Sequence, residues 1–337
     1  MKKILISIIS DQTIPNSLVI KELENQYDSN LFITTSRMEK EGKSKWIEKA
    51  AGISEGSIPR IEVDENNWKS ITEKLQKHRN PEFSYIVNLT CGTKIMTLAI
   101  YDYFSHINSR IIYVPIGKNK YEELYPVHSD NPIPINYRLN LTEYLYAHGI
   151  LFEKKDKLFK SYDDLKKIYK SFIIKNYDVT KFNNDYPGEW KNYYVGGWFE
   201  EYLYYKIKKD LNLPDSSIFT NVSLTHFNNV NPLGNDKELD VVFTLDNELY
   251  IVEAKSSIGI DKINMSMLDK IMFKLSAINK HFGLRSYVYI ITMADLSNEN
   301  FKRHYSLSRK SKVLGIKSIL DRNTITCKDF SYKTILN

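Results

Sequence analysis

A divalent cation needs hard oxygen donors gathered on one face, and residues 238–255, ELDVVFTLDNELYIVEAK, can gather them. Two β-rich runs flank the turn-forming pair Asp246-Asn247. A two-residue hairpin loop sets Leu245 opposite Glu248, and counting back along both strands sets Asp240 opposite Glu253. Directly opposed side chains share a face, with Cβ atoms roughly 4.5–5.5 Å apart. Lys255, two residues beyond Glu253, points to the same face. Like charges set opposite each other destabilise a sheet, and a cation held between them is the natural compensation. A three-residue loop would slip the register and separate the pair.

A third carboxylate is available upstream. On a helical wheel at ~100° per residue, Phe199, Leu203, Ile207 and Leu211 form one advancing apolar stripe. Glu200 falls at its edge and is expected to look inward; Glu201 points away and is expected to face solvent. The competing reading is a surface hairpin with ordinary charges, because an Asp, twelve residues, then Glu-x-Lys is common by chance.

Asn88-Leu89-Thr90-Cys91-Gly92-Thr93-Lys94-Ile95-Met96 is a second constellation, running off a strand into a helix. Backbone N–H groups at a helix start, small residues and a lysine can make an anion pocket. They can equally make a plain capped helix. No GxxxxGK[ST] or GxGxxG loop is present, so the common nucleotide fingerprints are excluded. The seven histidines form no HExxH or paired spacing.

These residues need elements to carry them. At roughly 150 residues per domain, 337 residues suit two domains. Residues 1 to about 117 alternate β-rich runs (Ile4–Ile9, Leu31–Thr34, Ile58–Val63, Tyr85–Leu89, Ile111–Val114) with helical stretches (Asn16–Gln26, Lys40–Ala51, Trp68–His78, Lys94–His106). That alternation predicts βαβ units and a parallel sheet, with ligands at the carboxyl ends of the strands. The loops Ser10–Asn16, Thr34–Met38 and Leu89–Lys94 lie there. A Lys-, Asp- and Tyr-rich stretch, 141–185, reads as a connection with a helix around Leu165–Ile174. From residue 186 the pattern is helix (Gly196–Leu211), hairpin (Glu238–Lys255), helix (Leu268–Phe282), strand (Ser286–Thr292), a second α/β domain reaching residue 337.

Composition excludes several classes. Apolar content of 42% and charged content of 26% rule out wholesale disorder. No run approaches the ~20 apolar residues of a membrane span, and the ILISII run after Met1-Lys2-Lys3 reads as a first strand. Two cysteines cannot build a disulfide framework, so a cytoplasmic protein without membrane partners is expected. A net charge of +6 permits a polyanionic partner without demanding one.

Glu200…Asp240…Glu253-Ala254-Lys255 resembles the PD-(D/E)xK nuclease motif, with Leu239 where that motif has proline. The resemblance implies a restriction-endonuclease-like α/β domain in which Glu200, Asp240, Glu253 and Ala254 hold Mn²⁺ or Mg²⁺. It implies that Lys255 orients the attacking water or stabilises the developing charge. Lys274, on the following helix, is a candidate contact for substrate phosphate or simply a solvated lysine. The Asn88–Met96 pattern, NLTxGTKxM, together with the Ser10-Asp11-Gln12-Thr13 loop, resembles the CARF sensors of type III CRISPR defence. Cys91 stands where many of that family carry glycine. The chain is thereby identified as a member of the CARF nucleases, with a Rossmann-like sensor at 1–140 and a nuclease domain at 186–337. Membership implies homodimers whose paired sensors bind cyclic oligoadenylate, here cyclic tetra-adenylate, through Ser10, Asp11, Gln12, Thr13, Thr90, Cys91, Gly92, Thr93 and Lys94. The implied activity is activator-dependent hydrolysis of single-stranded DNA or RNA, with duplex nicking also open. Single strands are the expected favourite because nothing resembles a groove-reading element. A catalytically inactive sensor or regulator is the alternative, weakened by the presence of all four motif residues. The R-x₄₋₆-H spacing of the HEPN ribonuclease branch is absent.

Overall fold

The computed structural model describes residues 1–128, 131–154, 158–185, 188, 190, 192–226, 238–258, 264–296, 301–327 and 330–333. The chain divides into two compact units, Met1–Ile150 and Leu151–Asn337.

In the first unit the order is β1 (Lys2–Ile8), α1 (Ile14–Glu22), β2 (Ser29–Thr34), α2 (Ser36–Glu41), α3 (Lys43–Ala50), β3 (Arg60–Glu62) and α4 (Trp68–His78). It continues with β4 (Phe83–Asn88), α5 (Lys94–Ser105), β5 (Ser109–Tyr113), β6 (Lys120–Tyr125), β7 (Ile133–Pro134) and α6 (Leu141–Ala147). Side by side the strands run β3-β2-β1-β4-β5-β6-β7. The first five are parallel, and β6 and β7 close the edge antiparallel. β1 is buried without a break from Ile4 to Ile8, as a strand covered on both faces must be. The order reverses between β1 and β4, so the loops leaving these two strands flank the crevice where doubly wound sheets bind ligands. The helix expected over Lys40–Ala51 is two helices. Gly42, at φ +81, turns the chain between them.

The second unit holds β8 (Ile150–Lys154), α7 (Tyr162–Ile174), α8 (Val179–Asn183), α9 (Trp198–Leu211), β9 (Ile218–His226), β10 (Glu238–Leu245) and β11 (Glu248–Lys255). After these come α10 (Met265–Asn279), β12 (Ser286–Thr292), α11 (Phe301–Val313), β13 (Ile316–Leu320) and α12 (Arg322–Ile325). Its sheet runs β13-β12-β11-β10-β9-β8. β9, β10 and β11 are antiparallel, and β11, β12 and β13 are parallel. The core packs Trp198, Phe199, Leu203 and Ile207 of α9 against Val241, Phe243, Tyr250 and Val252 of the sheet and Phe172 of α7.

The stretch 141–185, read from the sequence as a connection, is divided between the units. α6 packs on α3 in the first, and α7 packs on α9 in the second. No described helix is long and apolar enough to cross a membrane.

Candidate functional site

The β10–β11 turn takes two residues, Asp246 and Asn247, with φ of 51° and 63°. Both lie in the left-handed region that Asn and Asp tolerate and that a tight hairpin requires. Val241 therefore faces Val252, and the next step outward brings Asp240 level with Glu253, as the turn chemistry predicts. Both carboxylates are buried, at 8% and 3% exposure. Lys255 Nζ lies 3.0 Å from Asp240 Oδ2 and 2.8 Å from Glu253 Oε1. The Ala254 N–H donates to the same Asp240 oxygen at 2.8 Å, and the Ala254 carbonyl accepts from Lys255 Nζ at 3.0 Å. The Lys255 ammonium thus supplies part of the charge compensation that the paired carboxylates require.

Electrostatics follow from this packing. Burial pushes the Asp240 carboxyl up to about 6, and Glu253 adds to the rise, against the pull of Lys255 and the Ala254 N–H. Burial and then the charge of Asp240 push Glu200 up to about 8. Burial works against the Lys255 charge, but Asp240 and Glu253 outweigh it and hold the ammonium above its usual value.

Glu200 is half-buried and lies within electrostatic reach of Asp240, Lys255, Glu238 and Glu253, on the side the wheel assigned to it. The companion expectation fails: Glu201 is buried, at 2% exposure. Its Oε1 accepts from the Phe159 N–H at 2.8 Å, and its Oε2 accepts from the Lys160 N–H at 3.3 Å and the Tyr193 hydroxyl at 2.7 Å. α7 covers the face of α9 that a one-sided wheel leaves to solvent.

The turn entering α9 is a π turn, Tyr193–Gly197. The Val195 carbonyl in it accepts the hydroxyl of Ser256, the residue after Lys255. A Cβ at Gly197 would stand 3.1 Å from the Tyr193 ring, and one at Gly196 would reach 3.9 Å from Glu200 Oε1. Gly197 thus lets Tyr193 fold back to Glu201, while at Gly196 a Cβ would make only ordinary contact. Ser256 and Glu201 are the site-building residues that sequence reasoning missed. The hydroxyl-to-carbonyl bond leaves no periodic trace, while a Tyr-x₇-Glu spacing across a Gly-Gly could have pointed to the other.

A metal would find oxygen donors here. Glu253 Oε2 is buried without a hydrogen bond, with Lys274 Nζ 3.9 Å away. Among the described residues no three acidic, His or Cys side chains form a ready-made metal cluster. The fit therefore rests on Asp240, the Glu253 oxygen that accepts no hydrogen bond, the Ala254 carbonyl and Glu200 close by, all hard donors suited to Mg²⁺ or Mn²⁺.

The first unit brings the other set together at the crevice between β1 and β4. Buried Asn88 donates to Asn16 Oδ1 at 2.9 Å and accepts from the Thr90 N–H and hydroxyl, while Thr90 Oγ1 accepts from the Val114 N–H. Cys91 Sγ donates to the Gln12 carbonyl at 3.3 Å, which ties the two loops; burial pushes the thiol up to about 11. Gly92, at φ +97, packs so tightly that a Cβ would come 2.8 Å from Ile8 Cγ2. Thr93 caps α5 by accepting from the Met96 N–H, and Lys94 is exposed at the helix start. Ser10 Oγ accepts from the Gln12 N–H, and Asp11 pairs with Arg37 of α2 at 3.0 Å. Two members of the expected ligand set turn inward. Thr13 is buried and donates to the Ala147 carbonyl at 2.5 Å, and Cys91 is buried, so both position the loop rather than offer a side chain.

Residues 4–144 match the Card1 CARF domain, and residues 188–322 match the Card1-like endonuclease domain. No curated protein matches the chain. Among solved structures it is similar to Can2 from Sulfobacillus thermosulfidooxidans in complex with cyclic tetra-adenylate (18% identity, TM-score 0.69, 95% of each chain). It is also similar to protein VC1899 from Vibrio cholerae (16% identity, TM-score 0.70, 96% of this chain and 95% of that one). A type III CRISPR defence DNA nuclease activated by cyclic oligoadenylate matches 87% of this chain with 45% of its own (16% identity, TM-score 0.57). At these identities the likeness is one of fold.

Proposed function

The chain belongs to the CARF nucleases of the Card1 kind, and we propose that it is a metal-dependent endonuclease of type III CRISPR defence, switched on by cyclic tetra-adenylate. The observation that carries the reading is Lys255, held between Asp240 and Glu253 beside a buried Glu253 oxygen that accepts no hydrogen bond. Asp240, Glu253, the Ala254 carbonyl and Glu200 would hold Mn²⁺ or Mg²⁺, which when bound supplies Lewis acidity and a water of lowered pKa. Lys255, charged throughout the working pH range, orients that water and offsets negative charge growing on the scissile phosphate. Burial of both carboxylates keeps bulk water from screening this interaction.

The activator binds at the β1–β4 crevice, where exposed Gly92, Thr93 and Lys94 offer N–H groups and an ammonium at the start of α5. Two copies share one two-fold ring ligand. Ile95 and Leu98, exposed on α5 beside Lys94, give the second copy an apolar surface to cover.

The test is cleavage of labelled single-stranded DNA, single-stranded RNA and duplex DNA, with and without cyclic tetra-adenylate and Mn²⁺. Cutting that needs both, and that Asp240→Asn or Glu253→Gln abolishes while activator binding persists, supports the proposal. Binding of activator with no cutting of any substrate would make the chain a sensor or regulator.

A further inference from the structure

α10 lies beside the candidate site and carries more than a core face. Leu268, Ile271, Met272, Leu275 and Ile278 are buried. Phe273 and Lys274 follow Lys270 by three and four residues, so each is its neighbour on the helix surface. Phe273 is 56% exposed. Lys310 of α11 places its ammonium 5.3 Å from the Phe273 ring centroid and pairs with Asp269 at 2.6 Å. Lys274 ends the row, with Nζ 3.9 Å from Glu253 Oε2.

A single exposed phenylalanine is ordinary. This one lies under the Lys310 ammonium, on a helix that also carries Lys270 and sends Lys274 toward a carboxylate of the site. The sequence of α11 contains no acidic residue to offset Lys310. The combination of spaced cations and an open aromatic face matches one polymer, a single-stranded nucleic acid, whose phosphates meet ammonium groups while an unpaired base stacks on a ring. Bases inside a duplex have their faces covered by neighbours and cannot use the ring.

We propose that Lys270, Phe273, Lys274 and Lys310 form a track that holds a single strand by one stacked base and its flanking phosphates and delivers it to the Glu253 side of the site. The inference rests on the nuclease reading and deepens it, because it selects single strands over duplexes.

Binding of a fluorescent 20-nucleotide poly-dT strand to the whole protein with cyclic tetra-adenylate, in chelator, tests the track. Cleavage kinetics on the same strand run in parallel. Phe273→Ala should weaken binding about tenfold, within the range of one lost base stack, and raise KM similarly with kcat little changed. Phe273→Tyr should restore both. Lys270→Ala should lower the slope of log Kd against log salt by about 0.7, the share of one phosphate on a single strand, while Phe273→Ala leaves that slope alone. Unchanged binding by Phe273→Ala, equal weakening for single strand and duplex, or a shift in dimer mass instead would overturn the track. If wild type binds in a Phe273-dependent way but cuts nothing, the track stands and the nuclease reading fails. Wild type and Phe273→Ala cutting with one KM would sink the track and leave the nuclease intact.

Discussion

Lys255 Nζ meets Asp240 Oδ2 at 3.0 Å across a two-residue hairpin, so the cation that holds two opposed carboxylates together is part of the chain. The arrangement gives the lysine two duties, neutralising its neighbours and serving the reaction, and these can be separated by experiment.

Lys255→Met should abolish cleavage and also destabilise the metal-free protein by roughly 3–5 kcal/mol, the scale of breaking a buried ion pair. Urea unfolding in chelator reads the second effect. A midpoint equal to wild type would mean that the three charges do not depend on one another.

Stability should fall with pH in the metal-free protein. Glu200 and Asp240 have folded-state values of about 8 and about 6, above the ordinary carboxylate range. The folded chain therefore binds more protons than the unfolded chain between about pH 4 and 8, and each step up in pH favours unfolding. Calorimetry in chelator should show a melting temperature that declines from pH 5 to 8.5. Glu200→Gln should flatten the decline and exceed wild type at pH 8.5, and a parallel curve would refute a half-buried Glu200 that titrates in this range.

The adjacent glutamates should fail in opposite ways. Glu201→Ala strands two backbone N–H groups and the Tyr193 hydroxyl, and should cost about 2–3 kcal/mol of stability. Glu200→Ala should spare stability and remove turnover. The two variants compared by denaturation and by cleavage at saturating activator decide it; matching profiles would contradict the geometry.

Ser256→Ala frees the Val195 carbonyl and lets the entry to α9 shift against β11. Small misplacements near a reacting centre cost about ten- to a hundredfold. Turnover should drop by that order, with KM and activator midpoint unchanged, and Ser256→Thr should recover it. A rise in KM with normal kcat would assign Ser256 to substrate binding.

Lys94→Ala removes an exposed ammonium from the crevice and should raise the activator concentration for half-maximal cutting about tenfold, the scale of one charge-assisted hydrogen bond. The plateau rate should be kept. Superimposable titrations would take Lys94 out of the sensor.

What could be read beforehand was what depends on neighbours in sequence. The β10–β11 register follows from Asp246-Asn247, because tight turns admit few loop geometries, and the Asp240–Glu253 pairing follows from the register. The five parallel strands of the first unit announced themselves as apolar runs, while the antiparallel edge strands β6 and β7 did not. Glu201 escaped because a helical wheel assumes one buried face, while α7 arrives from 30 residues upstream to make a second. Lys255 as the compensating charge escaped because strand alternation says which face a side chain takes, not how far its end reaches. The inward turn of Thr13 and Cys91 depends on α6 and on a loop-to-loop bond, neither written in local pattern.

α9 is buried on its sheet side through Phe199, Leu203 and Ile207 and on its outer side through Glu201. Amides along it can meet solvent only when the sheet and α7 let go together, so they should exchange at the rate of unfolding of the whole unit. Glu200 thus stands on the part that opens last. Such a site cannot be switched by melting a turn or fraying an end. Whatever controls it must shift whole elements as rigid bodies, and between such shifts the site is either assembled or not, with little in between.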